Sequence, residues 1–125
     1  MQVDQKSKPI AIIDDDESMQ DSMRDLMEAA GLTACSFGSA EEFLKSDLHH
    51  KAACLIVDIR MPKMSGLELQ AKLREENCNV PIIFITAHGD ARMRIQAMRR
   101  GAVEFFAKPF DHQLLLKRVR AALDL

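Results

Sequence analysis

Tryptophan and tyrosine are absent from this sequence, and six phenylalanines carry its benzyl rings. A flavin, which needs large aromatics around its ring, is a poor match. Cysteine is scarce. Cys35, Cys54 and Cys78 form an odd, scattered set without a C-x-x-C pair, so neither a disulfide framework nor a zinc site is encoded. A reducing, cytoplasmic setting is expected. No apolar run approaches the roughly 20 residues of a membrane span, and the polar start "MQVDQKSK" has no signal-peptide core. There is also no large excess of one charge. Seventeen Lys and Arg against nineteen Asp and Glu leave a formal net charge of -2, which argues against bulk attraction to nucleic acid or membrane surfaces.

What is present is enough for one domain. The chain has 125 residues, 47% of them hydrophobic, which argues against disorder. Residues 1–8 read as a flexible arm and residues 9–125 as the domain. Short apolar runs alternate with helical patterns. Strands are expected at Pro9–Asp14, Leu32–Phe37, Ala53–Asp58, Pro81–Thr86 and Ala102–Ala107. Between them, Met19, Met23, Leu26, Met27 and Ala30 recur at helical spacing before Gly31. Ser39 caps a short helix with Phe43 and Leu44. A third helix covers Ser65–Glu75, Asp90 caps a fourth that stops at Gly101, and Asp111 caps a fifth with Leu115, Val119 and Ala122. This alternation predicts an α/β fold with a parallel sheet, crossover helices on both faces and right-handed connections.

The strand ends carry the chemistry. The first strand runs into "IIDDDES", where Asp14, Asp15, Asp16 and Glu17 are adjacent. Two like charges at ~4 Å near a protein surface repel by about 4 kcal/mol, so the cluster needs a purpose. The third strand ends in Asp58, the fourth in Thr86, and the fifth runs into Lys108. In an open parallel sheet these ends share one edge, where ligands bind at the topological switch point. Crowded carboxylates suit Mg2+, a hard cation held by one or two carboxylates together with waters and phosphate oxygens. A carboxylate is also a nucleophile in aspartyl-phosphate chemistry. A lysine can hold a phosphoryl group as a point charge, and a threonine hydroxyl can donate to it.

The stretches "IIDDDES", "LIVDIRMPKMSGLEL", "IIFITAHGD" and "GAVEFFAKPF" resemble the receiver domain of two-component response regulators, in order and over nearly the whole chain. The last two resemble the FixJ-like, NarL-type transcription regulators. The resemblance implies a flavodoxin-like, doubly wound (βα)5 sandwich with a parallel sheet of order 2-1-3-4-5. It implies Asp58 as phospho-acceptor, and Thr86 and Lys108 as contacts to the phosphoryl group. Mg2+ or Mn2+ would be held by Asp15 directly, by Asp14 through water, by Asp58 and by the backbone carbonyl of Arg60. It further implies a cis Lys108–Pro109 bond and a switch pair, Thr86 and Phe105. The implied partners are a histidine kinase, a DNA-binding output domain, and a second copy docked through the fourth helix and fifth strand on phosphorylation. No direct nucleic-acid contact and no membrane contact are implied.

Three aspartates in a row leave Asp15 and Asp16 as an alternative metal pair. Asp14 and Asp15 are preferred because they follow the apolar strand directly, whereas Asp16 or Glu17 suits a helix N-terminus. Arg60 and His88 occupy positions that vary in the family and are expected to tune the lifetime of the phosphorylated form. Plainer readings apply elsewhere. Met19, Met23 and Met27 fill core, His49 and His50 are expected to be solvated on a loop, and Arg92, Arg94, Arg99 and Arg100 form a solvated face or a partner surface. Two rival classes fail on single positions. A haloacid-dehalogenase-like phosphatase needs a second Asp two residues after the nucleophile, where this chain has Arg60. A flavodoxin needs a hydroxyl-rich loop where this chain has acids. A degenerate receiver that binds partners without being phosphorylated is the remaining alternative.

Overall fold

The computed structural model describes residues 8–87 and 91–124. The arm expected at residues 1–8 therefore lies almost wholly outside the described residues, as do His88 and the cap expected at Asp90. Five strands, β1 (Ile10–Ile13), β2 (Ala34–Phe37), β3 (Cys54–Asp58), β4 (Ile82–Thr86) and β5 (Glu104–Ala107), alternate with five helices. The helices are α1 (Glu17–Ala29), α2 (Ala40–Lys45), α3 (Gly66–Glu75), α4 (Ala91–Arg99) and α5 (His112–Ala122). All strand pairs are parallel and the order is β2-β1-β3-β4-β5. This is the flavodoxin-like, doubly wound arrangement.

Strand alternation divides the core into two layers. Ile10, Ile12, Cys54, Ile56, Ile83 and Ile85 pack on one face with Met23 and Met27 of α1 and Leu115, Leu116 and Val119 of α5. Ala11, Ile13, Leu55, Val57, Ile82 and Phe84 pack on the other with Phe43 of α2, Leu69 and Leu73 of α3, and Ala97 of α4. β1, β3 and β4 are buried on both faces, which is why they read as unbroken apolar runs. Met19 packs against the α1 layer as partly buried core.

Caps set the helix starts. Asp16, Ser39, Ser65 and Asp111 each accept hydrogen bonds from first-turn N–H groups. At Ser65 the pairing is reciprocal, with Glu68 reaching back in a capping box. The strands are shorter than the apolar runs. Leu32 lies before β2 and its N–H closes the α1 terminus on Met27. Ala102 and Val103 precede β5, with Ala102 bonded to Ala97 at the end of α4.

The histidine pair departs from expectation. Asp47–His50 forms a 3-10 turn. His49 Nε2 lies 2.7 Å from Glu76 Oε1, at the end of α3, and its ring stacks on His50 at 4.1 Å. His49 is half-buried, so only His50 is solvated. The reason is tertiary: α3 brings Glu76 alongside a turn 27 residues earlier in the chain. Among the described residues, no helix is long and apolar enough to cross a membrane.

Candidate functional site

The reversal of strand order beside β1 and β3 opens the crevice in which the acids meet. β1 ends at Ile13, and the Asp14 N–H continues the ladder by donating to Phe37 O at 3.1 Å. Asp14 is nearly buried, at 4% exposure. Its Oδ1 accepts from the Asp16 N–H at 2.9 Å, and its Oδ2 accepts from Lys108 Nζ at 3.3 Å. β3 delivers Asp58, also largely buried at 9%. Asp58 Oδ1 accepts from the Arg60 N–H at 3.2 Å, and Oδ2 lies 3.8 Å from Lys108 Nζ. Lys108 thus stands between two carboxylates. Asp15 is exposed, and one carboxylate oxygen each from Asp14, Asp15 and Asp58 lies within 4.8 Å of the others.

The electrostatics follow from this crowding. Burial pushes the Asp58 carboxyl up to about 6, and the Asp14 charge adds to the shift; Lys108 and the Arg60 N–H pull the other way. Three carboxylates against one ammonium leave an excess of negative charge, with Asp14 and Asp58 buried and Asp15 exposed. The donors are all oxygen, so the residues present fit a hard divalent cation such as Mg2+.

Asp16 does not join this set. Its Oδ1 accepts from Ser18 N at 2.9 Å and from Met19 N at 3.4 Å, which commits it to the N-terminus of α1. Thr86 ends β4 fully buried, and its backbone oxygen accepts from the Lys108 N–H at 2.9 Å. Phe105 sits in β5 opposite Phe84 and is buried in the α3–α4 layer. The Lys108–Pro109 peptide is cis. Arg60 is exposed beside Asp58.

Two contributors escaped the sequence reading. A Cβ on Gly66 would meet Asp58 O at 2.6 Å and Ile59 Cα at 2.9 Å, so α3 can start against the end of β3 only with glycine there. The available signal was a glycine just inside a capped helix, where alanine is the better helix former. Gln20 donates through Nε2 to Asp14 O at 2.7 Å. A lone glutamine on a helix gives no such signal.

Residues 10–120 match the family model "Response regulator receiver domain". Nodulation protein W of Bradyrhizobium diazoefficiens is 44% identical over 115 residues, covering 92% of this chain and 51% of that protein. Transcriptional regulatory protein FixJ of Azorhizobium caulinodans is 37% identical over 118 residues, covering 94% of this chain and 56% of that protein. The chain thus spans about half the length of these curated relatives. The crystal structure of FixJ-N superposes with a TM-score of 0.85 at 35% identity, covering 99% of this chain and 96% of that one. Family model, relatives and fold agree: the chain belongs to the receiver domain family of two-component response regulators.

Proposed function

We propose that this receiver takes a phosphoryl group onto Asp58 from a histidine kinase or a small acyl-phosphate donor. The observation that carries the reading is Lys108 Nζ held 3.3 Å from Asp14 and 3.8 Å from Asp58. That places a cation beside the carboxylate that burial pushes up to about 6. An ionised Asp58 oxygen attacks the phosphorus, and the donor's nitrogen or oxygen leaves. Lys108 and Thr86 contact the transferred group. Asp14, Asp15, Asp58 and the Arg60 carbonyl are the residues that would hold Mg2+ or Mn2+. The ion would supply charge neutralisation between the carboxylate nucleophile and the phosphoryl oxygens. The same residues would serve slow hydrolysis of the acyl phosphate, so the domain catalyses its own switching without being a metabolic enzyme.

The output reading goes with this. Contact of Thr86 with the phosphoryl group biases Thr86, Phe105 and α4 toward a second arrangement, by no more than the difference in contacts between the two states. The face formed by α4, β5 and α5 then engages an output domain and favours a homodimer. Relatives about twice as long, one of them named as a transcriptional regulator, support an output in transcription.

The test is intact mass after incubation with acetyl phosphate, with and without Mg2+, for the wild type and Asp58→Asn. One phosphoryl adduct that needs Mg2+ and is lost in the variant is the expected result. A folded protein that gains no adduct from acetyl phosphate or from a histidine kinase would be a degenerate receiver acting by binding alone.

A further inference from the structure

We propose that Gln20 is a positioning residue for the acidic site, acting through the backbone of Asp14; the inference rests on the metal-site reading above. β1 ends at Ile13, so the Asp14 carbonyl lies beyond the strand ladders. The other polar groups of Asp14 are engaged: its N–H bonds Phe37, and its carboxylate oxygens accept from Asp16 and Lys108. Gln20, in the first half of α1, reaches back with Nε2 and holds the remaining group, the carbonyl oxygen, at 2.7 Å.

That bond fixes more than a loop. The peptide unit is planar, so holding the Asp14 oxygen fixes the plane that joins Asp14 to Asp15. That plane, together with the Asp15 φ, sets the direction in which the Asp15 side chain leaves the backbone. Asp15 is exposed, and among the described residues its carboxylate has no hydrogen-bond partner; its place within 4.8 Å of Asp14 and Asp58 is set by the backbone direction and its own rotamer, with no neighbouring side chain to hold it. Gln20 therefore orients a carboxylate that it does not touch. α1 carries this constraint because its start is pinned by the Asp16 cap and its buried face by Met23 and Met27.

The experiment is Mg2+ titration by calorimetry on the wild type, Gln20→Met and Gln20→Glu. It is paired with melting in EDTA and with phosphorylation rates at saturating Mg2+. Methionine keeps the length and removes the donor. Loss of one hydrogen bond, about 1 kcal/mol, predicts Mg2+ binding weaker by up to about fivefold, with the saturated rate near that of the wild type and the EDTA melting temperature lowered by no more than about 5 °C. Glutamate makes the sign decisive. A carboxylate added near the site should tighten Mg2+ by charge alone, whereas positioning predicts weakening, because it repels the Asp14 carbonyl. Unchanged affinity in Gln20→Met, or tighter binding in Gln20→Glu, would overturn the inference. So would an affinity loss seen only at temperatures where the EDTA melt shows the variant partly unfolded. A folded wild type that binds no Mg2+ would instead remove the metal-site reading, and this inference with it.

Discussion

Asp58→Asn is expected to stabilise the metal-free protein at pH 8, although it destroys the proposed acceptor. The Asp58 carboxyl stands near 6, against 3.8 for an ordinary aspartate. At about 1.4 kcal/mol per pH unit, ionising it in the folded chain costs about 3 kcal/mol more than in the unfolded chain. The sign follows from proton counts. Between pH 3.8 and about 6 the folded chain keeps this proton and the unfolded chain has released it. Stability therefore falls as pH rises through that window, and the cost is fully present above it. Asparagine carries no charge, and its Oδ1 can still accept from the Arg60 N–H, which now lies 3.2 Å from Asp58 Oδ1. Urea melts in EDTA should show a gain of about 1–3 kcal/mol for the variant at pH 8, allowing for imperfect replacement. In thermal melts a domain of this size shifts about 3–5 °C per kcal/mol. The gain should shrink toward zero near pH 4, where both folded proteins are neutral at this position. Adding Mg2+ at pH 8 should narrow the gap by stabilising the wild type more than the variant. A variant no more stable than the wild type at pH 8, or a gain that does not depend on pH, would refute the reasoning.

Other substitutions separate positioning from chemistry. Gly66→Ala forces a Cβ against the Asp58 carbonyl and the Ile59 backbone, where no flexible side chain can yield. Denaturant melts should show a loss of about 1–3 kcal/mol, together with slower phosphorylation. Asp16→Ala should cost about 1 kcal/mol through the lost cap and leave Mg2+ affinity nearly intact, while Asp15→Asn should weaken Mg2+ and spare stability; calorimetry that reversed this pattern would exchange the two roles. Gln70 is fully buried between α3 and α4, donating to Ala97 O at 3.0 Å while its Oε1 lacks a partner among the described residues. Gln70→Leu removes that orphaned acceptor, and Ala97 O still accepts from the Ala102 N–H at 3.0 Å. Its unfolding free energy should therefore change by less than about 1 kcal/mol.

The acidic cluster shows how far local reading reaches. Asp14, Asp15 and Asp16 are chemically identical in sequence, and hydrophobic patterning alone placed the first two nearest the strand. The roles diverge because β1 ends one residue before Asp14 and α1 starts one residue after Asp16, so the third carboxylate is used by the helix. The histidine pair shows the opposite case. Nothing near His49 announces Glu76, since the two meet only when α3 packs beside the preceding turn. Gly66 and Gln20 were silent for the same reason: one acts by what it lacks against a strand distant in sequence, the other through a backbone oxygen that any residue possesses.

The sequence by itself determined the alternation of elements, the caps at Ser39 and Asp111 and the strand ends that carry Asp14, Asp58, Thr86 and Lys108, because periodicity, capping and turn chemistry act between residues a few positions apart. The tertiary structure decided which carboxylates converge, that Lys108 stands between Asp14 and Asp58, how far burial raises the Asp58 carboxyl, and that Gln20 and Gly66 shape the site. Those outcomes depend on through-space distances and desolvation, which exist only once parallel strands lie side by side and bring residues as far apart as 14 and 108 within hydrogen-bonding reach.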